Sequence, residues 1–314
     1  MTLIINVVLP VFAILGAGYF AGRLKLVCEG GSDALNGFVY YFALPILLFK
    51  AMAQVDAATV LNGSYIGAYL AGQAVTFGLG IALAWIVFRL SLAEAASHGT
   101  VGIYGNVGYM GIPLVLAVFG EGALPPVVIA TIINAAFNIA VLTIFIEIGQ
   151  RSGQGGHSGR MVRDVLWAVS KNPILVAPIL GFLWALTGAP LPQPLITFGS
   201  IFGAAAGPCA LFSIGLFLVG KPLSEGRAEV ALMTALKLVF HPIVTFGFAW
   251  WLLRDQLQLM TICVLMAALP TGANLFILAQ RYGVYVYRTS TAILASTVLS
   301  VATLSVFFLL FEVR

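Results

Sequence analysis

Residues 102–114 read Gly102-Ile103-Tyr104-Gly105-Asn106-Val107-Gly108-Tyr109-Met110-Gly111-Ile112-Pro113-Leu114, and residues 269–276 read Leu269-Pro270-Thr271-Gly272-Ala273-Asn274-Leu275-Phe276. Each stretch lies inside a long apolar segment, yet neither suits a continuous helix. Four glycines three residues apart add backbone freedom, and each proline removes a donor and crowds the turn before it. The expectation is two interrupted helices. In hydrocarbon, broken backbone is tolerated only where protein buries it or a wet cavity adjoins it. Two such breaks therefore point to a polar site between the segments.

The rest of the chain places these segments in a membrane. Of 314 residues 61% are hydrophobic and 8% charged, and the mean hydropathy is +1.05; soluble domains carry about 25% charge. Fifteen basic and eleven acidic residues cannot cover a water-soluble fold of this length. A soluble enzyme, a nucleic-acid binder and a disordered chain are excluded. At roughly 20 apolar residues per crossing, the chain holds about ten spans. They are expected at 3–22, 34–53, 64–88, 99–119, 124–147, 172–188, 194–219, 229–253, 257–280 and 286–311. Runs such as Ile81–Phe88 do not alternate in polarity, which excludes an outer-membrane barrel. Residues 3–22 have no basic segment in front of them and read as a retained helix rather than a leader. Cys28, Cys209 and Cys263 form no CxxC pair, so neither a disulfide framework nor a zinc site is indicated.

Eleven of the fifteen Lys and Arg residues fall in or beside loops that follow odd-numbered spans. Basic loops face the cytoplasm, so both termini are expected outside. The single long polar connection, 150–171, is rich in Gly, Ser and basic residues and reads as a cytoplasmic linker. It divides the chain into 1–149 and 172–314, with five spans each. An odd number per half inverts one half relative to the other, the arithmetic of an inverted repeat. The pattern A-x-P-x-x-L-F occurs at 43–49 and again at 206–212, and Asn6 and Asn172 open the first and sixth spans. The two interrupted segments are then the fourth spans of their respective halves.

Half-helix N-termini carry free N–H groups and partial positive charge, which suits a carboxylate, and Asn106, Thr271 and Asn274 add neutral donors. Asn134 and Asn138, one turn apart, and Gln73 either line the same cavity or bond between helices. Lys237 and His241, also one turn apart, are intramembrane bases and so candidates for coupling or charge balance, although Lys237 could partly snorkel. Lys50 is expected to snorkel at the outer end of the second span. Glu94, Glu121 and Glu147 sit near span ends and read as solvated or paired. No acid falls mid-span, so a carboxylate cation site is not visible. Small-xxx-small spacings at Gly18/Gly22, Gly63/Gly67, Gly199/Gly203 and Gly203/Gly207 indicate close helix packing. Asn62-Gly63-Ser64 is formally a glycosylation sequon. The chain lacks HExxH, paired membrane acids and a P-loop, which argues against an intramembrane protease and against direct ATP drive. A secondary transporter is the leading reading. A carrier or channel for a neutral polar solute, or a membrane sensor, stays open.

Asn106-x-x-x-Met110-Gly111-Ile112-Pro113-Leu114, together with residues 41–49 (YFALPILLF), Lys237–Pro242 (KLVFHP) and Leu269-Pro270-x-Gly272, resembles the auxin efflux carrier family, in order along nearly the whole chain. That family includes plant auxin exporters and bacterial permeases for malonate or malate. The short linker here resembles bacterial members. The resemblance implies an all-α protein of ten transmembrane helices in two inverted repeats, similar to bile-acid symporters. Helices 1, 2, 6 and 7 would form a scaffold, often dimeric, and helices 3–5 and 8–10 a transport domain moving as an elevator. Helices four and nine would cross at Pro113 and Pro270. The substrate site would comprise Gly105, Asn106, Gly108, Tyr109, Pro113, Asn134, Asn138, Pro270, Thr271, Gly272 and Asn274, with Lys237 and His241 nearby. The expected ligand is a small organic anion, malonate- or auxin-like. No cofactor or metal is expected beyond a coupling proton or sodium ion, and the expected location is a bacterial inner membrane.

Overall fold

A computed structural model describes residues 9–28, 30–55, 62–138, 141, 142, 144–146, 148, 171–220 and 226–311. The linker 150–170, Asn6, Glu147 and both chain ends lie outside the described residues. Among those described the fold is all helical, with one isolated antiparallel bridge between Gly105 and Thr271. Five helices are long and apolar enough to cross a membrane: α2 (Gly31–Ala53), α3 (Gly63–Phe88), α8 (Gln193–Leu218), α9 (Arg227–Leu253) and α12 (Val286–Leu310). Shorter apolar helices occupy the other expected spans. They are α1 (Leu9–Arg23), α4 (Leu92–Ile103), α5 (Val107–Phe119), α6 (Leu124–Ile132), α7 (Pro173–Leu186) and α10 (Leu257–Ala268). The less apolar α11 (Asn274–Tyr282) completes the ninth span.

The fourth span differs from expectation at its start. It begins at Leu92 rather than residue 99, because Ser91 and Glu94 form a reciprocal capping box, which satisfies two of the orphan donors at the helix start. Asn62, in the sequon, likewise caps α3 by accepting from the Tyr65 N–H.

Prolines shape three helices by widening them. α2 has a π-turn at Val39–Ala43, α5 one at Val107–Gly111 and α9 one at Leu236–Phe240. Pro45, Pro113 and Pro242 each follow two residues after such a turn. The residue just before each proline donates five back: Leu44 to Val39, Ile112 to Val107 and His241 to Leu236. Since proline cannot donate and its ring clashes with the preceding turn, the wider turn accommodates the ring without breaking the helix.

The helices pack in two groups. In one, α1 runs along α8, α7 runs along the second half of α2, and α8 crosses α2. In the other, α3 packs on α4 and α9, α9 on α10, and α12 on α9, α10 and α11. α5 and α6 lie between them, touching α8 and α2 on one side and α10 on the other. The α1–α8 contact is very close: a Cβ at Gly18 would collide with the Phe212 carbonyl, and one at Gly215 with the Leu15 carbonyl. Outward faces carry Trp85, Ile86, Trp251 and Leu310, an apolar exterior suited to lipid. Ser296, Thr297, Ser300 and Ser305 of α12 turn their hydroxyls back onto its own carbonyls, as Thr297 does onto Ile293, which satisfies them without water.

Gly215→Ala should destabilise the protein by about 1–3 kcal/mol through overpacking, read as a lower unfolding temperature in detergent. Gly78→Ala, in α3 where a Cβ meets no atom within 4 Å, should not.

Candidate functional site

The two interrupted spans meet backbone to backbone. After α4 ends at Ile103, the chain is extended at Tyr104 and bridges to Thr271 at Gly105; after α10 ends at Ala268, it is extended at Leu269, the conformation a following proline favours. The Asn106 N–H donates to the Pro270 carbonyl (2.8 Å) and the Gly272 N–H to the Tyr104 carbonyl (2.9 Å). Gly272 permits the approach, since a Cβ there would fall 2.8 Å from the Tyr104 ring. This crossing lies at Pro270 as expected, but on the other strand at Tyr104–Asn106 and not at Pro113. Pro113 sits seven residues further on, in the first turn of the regular helix after its π-turn, and a Cβ at Gly207 of α8 would fall 3.2 Å from its ring. The wider turn absorbs Pro113, and the break falls where an extended Tyr104 and Gly105 pair strand-like with Thr271 and Gly272.

Several of the groups freed by the breaks find partners across the crossing. The Thr271 hydroxyl donates to the Val101 carbonyl of α4 (3.1 Å), and the Thr271 N–H donates to Ser296 Oγ of α12 (3.1 Å). Lys237 Nζ donates to the Ala267 carbonyl of α10, placing a cation at a helix C-terminus where the macrodipole favours it. Asn134 Nδ2 donates to the Gly105 carbonyl (3.0 Å), while its Oδ1 accepts from Gln73 (2.9 Å), Asn138 (2.9 Å) and Tyr69 (3.4 Å). Asn134, Asn138 and Gln73 thus form a buried network between helices that holds the crossing.

Donor groups stand at the crossing. The Asn106 carbonyl accepts from Met110 and Gly111, and its side chain does not cap the helix. The N–H groups of Val107, Gly108 and Tyr109, in the first turn of α5, therefore have no acceptor within their helix. α11 presents a second N-terminus at Asn274, whose side chain meets the Tyr104 hydroxyl. Lys237 is 0% exposed, so it does not snorkel, and its Nζ would lie 3.6 Å from a Cβ at Gly105. His241 Nδ1 lies 3.2 Å from it. Among the described residues no carboxylate pairs with Lys237.

Other sites depart from the reading of the sequence. Lys50 does not snorkel either: it is 6% exposed and bonds Glu121 and Ser200. The Tyr69 hydroxyl was not legible as a partner of this network, although Gln73 was, and neither was the packing of the buried His98 of α4 between the rings of Phe88 and Tyr285. A polar residue every fourth position in α3 was the one signal for the former.

A family of proteins described as "Membrane transport protein" matches residues 3–308. A protein named "Putative malonate transporter" from Rhizobium meliloti is 32% identical over 310 residues, covering 97% of this chain and 95% of its own. "Uncharacterized transporter YfdV" of Escherichia coli K12 is 29% identical (95% and 94%), and "Auxin efflux carrier component 5" of Arabidopsis thaliana 25% identical (98% and 97%). The chain belongs to the auxin efflux carrier family of membrane transporters. As a member of that family it is an integral membrane protein and a transporter, not an enzyme. The family match takes in the crossing and both groups of helices, so the buried polar network belongs to a transporter's interior.

Thr271→Val keeps the side chain's shape but leaves the Val101 carbonyl without its donor. It should cost about 1–3 kcal/mol, seen as a lower unfolding temperature, whereas Thr271→Ser should retain most of the stability. A valine variant as stable as the parent would show the bond to be dispensable.

Proposed function

We propose that this carrier moves a small organic anion, holding its carboxylate at the crossing of the fourth and ninth spans. Lys237 carries the proposal: a wholly buried ammonium beside Gly105, with no carboxylate partner among the described residues. An uncompensated buried charge is costly, and a bound anion would offset it. The N-termini of α5 and α11 add partial positive charge at the same place. Asn106 and the free N–H groups of Gly108 and Tyr109 would bind the carboxylate. Thr271, Asn134 and Asn138 would position that backbone, and Lys237 with His241 would balance charge or take up a coupling proton. Relatives named for malonate transport and for auxin efflux place carboxylates first among the substrates to try.

The architecture proposed with this function is two inverted five-helix repeats, 1–149 and 172–314, in a bacterial inner membrane with both termini outside. The packing supports it. The contacts of spans one with seven and two with six exchange under a shift of five spans, as do three with four and eight with nine. The group made of α1, α2, α7 and α8 would form the scaffold and the dimer surface. The group around the crossing would move against it as an elevator.

Uptake of labelled malonate, malate, succinate and indole-acetate into proteoliposomes, with and without an imposed pH gradient, tests the reading. Saturable uptake of at least one acid is expected, and none from folded protein would overturn the anion reading. Asn106→Ala should lower affinity for that acid at least about tenfold, equivalent to about 1.4 kcal/mol, with unfolding temperature unchanged. Pro270→Ala should damage uptake more than expression. Equal loss of both would make the proline a packing residue.

A further inference from the structure

A second cationic site lies apart from the crossing. Between α2 and the turn joining α5 to α6 is a cavity of about 520 Å³, within the size range of small-molecule sites. Its polar lining is Lys50, Gln54 and Glu121; its walls are apolar, chiefly Leu47, Val55 and Leu124. Lys50 Nζ is held by three oxygens: Glu121 Oε1 (3.2 Å), Glu121 Oε2 (3.0 Å) and Ser200 Oγ (2.9 Å). The pair is lopsided. The Lys50 side chain is 7% exposed and the Glu121 side chain 67%. Glu121 opens a three-residue 3-10 turn between Gly120, with φ of +77°, and Gly122, and its carboxylate has no other partner among the described residues. The cation is thus fixed and buried while its counter-ion is solvated and mounted on a short turn.

We propose that this cavity is a docking site for the carboxylate of an organic monoacid with an apolar body, which takes the place of Glu121 on Lys50. Exchanging one carboxylate for another on the same ammonium leaves the charge of the site unchanged, and Glu121 moves into water that it already contacts. The apolar walls take up the body of the acid. A second carboxylate on the ligand would meet apolar walls and the displaced Glu121, so the site selects monoacids over diacids. The cavity is also joined to the crossing. The Pro126 carbonyl on its wall accepts from the Tyr65 hydroxyl (2.9 Å), Tyr65 stacks on Tyr69, and Tyr69 bonds Asn134. The identity of the ligand rests on the anion-carrier reading; the site itself stands on its own geometry.

The test uses the full chain in detergent with Gln54→Cys, an exposed position on the cavity rim, in a Cys28→Ser background that removes the exposed native thiol. Labelling by a negatively charged methanethiosulfonate is followed by mass, with phenylacetate as the probe and the Cys28→Ser parent as the blank. Phenylacetate should protect saturably, and malonate less well. Ion pairs with an exposed partner are worth about 0.2–1 kcal/mol, so Glu121→Gln, which removes the competing carboxylate, should lower the half-protecting concentration about 1.4- to fivefold. Lys50→Gln should raise it at least tenfold. Absence of saturable protection, stronger protection by malonate, or weakened protection in Glu121→Gln would each overturn the proposal, and the last needs no Lys50 variant to fold. Protection without carboxylate uptake in proteoliposomes would leave this site standing and remove the transport reading; uptake without protection would do the reverse.

Discussion

The structure depends on one constraint: backbone opened inside an apolar interior must find hydrogen-bond partners there. Breaking the fourth and ninth spans frees donors and acceptors that hydrocarbon cannot satisfy. The two breaks satisfy each other, Asn106 with Pro270 and Gly272 with Tyr104. The remaining carbonyls go to Thr271, Asn134 and Lys237. Neither break would be tolerable alone, so the two halves of the chain cannot be folded independently around this point. Much of the buried polarity of the protein is the consequence. Gln73, Tyr69 and Asn138 are buried because they orient Asn134, and Ser296 because it receives the Thr271 N–H.

How much of this could be read from residues alone follows from which signals are local. Apolar length located five helices long enough to span and the shorter apolar helices among them, because burial in a bilayer demands about 20 residues whatever the packing. Proline and glycine marked the right two segments for interruption, and Pro270 the right place in one of them, but Pro113 was the wrong residue in the other. Pro113 sits in the stretch that resembles the family most specifically, yet its clash is absorbed by a π-turn, as it is at Pro45 and Pro242. The break instead follows Gly105, which pairs with Thr271 some 166 positions away; no window on one strand contains that information. The same holds for the lysines. Snorkelling was inferred from distance to a span end, and for both Lys50 and Lys237 a partner on another element decided otherwise.

The two buried lysines resolve the same electrostatic problem in different ways. Lys50 is paired with a carboxylate from an exposed turn. Among the described residues, Lys237 has backbone carbonyl and imidazole partners only. A carbonyl offsets part of an ammonium's lost hydration but none of its charge, so when Lys237 carries a proton no carboxylate among the described residues offsets its field. In an interior of low dielectric, that field is felt more strongly than it would be in water. It acts at the place where two helix N-termini add to it.

This difference bears on the proposed cycle. A site whose cation is neutralised internally can accept an anion only by exchange, at little net cost and with correspondingly modest affinity. A site whose cation is uncompensated gains more from an anion, and suffers more when the anion leaves. An elevator carrying the second kind of site would move most easily when loaded, since the empty carrier would translate a bare charge through apolar surroundings. In that arrangement Lys237 both favours binding and disfavours return of the empty domain. The direction of net transport would then be set by whatever neutralises Lys237 on the way back, whether a proton leaving the lysine or a second anion.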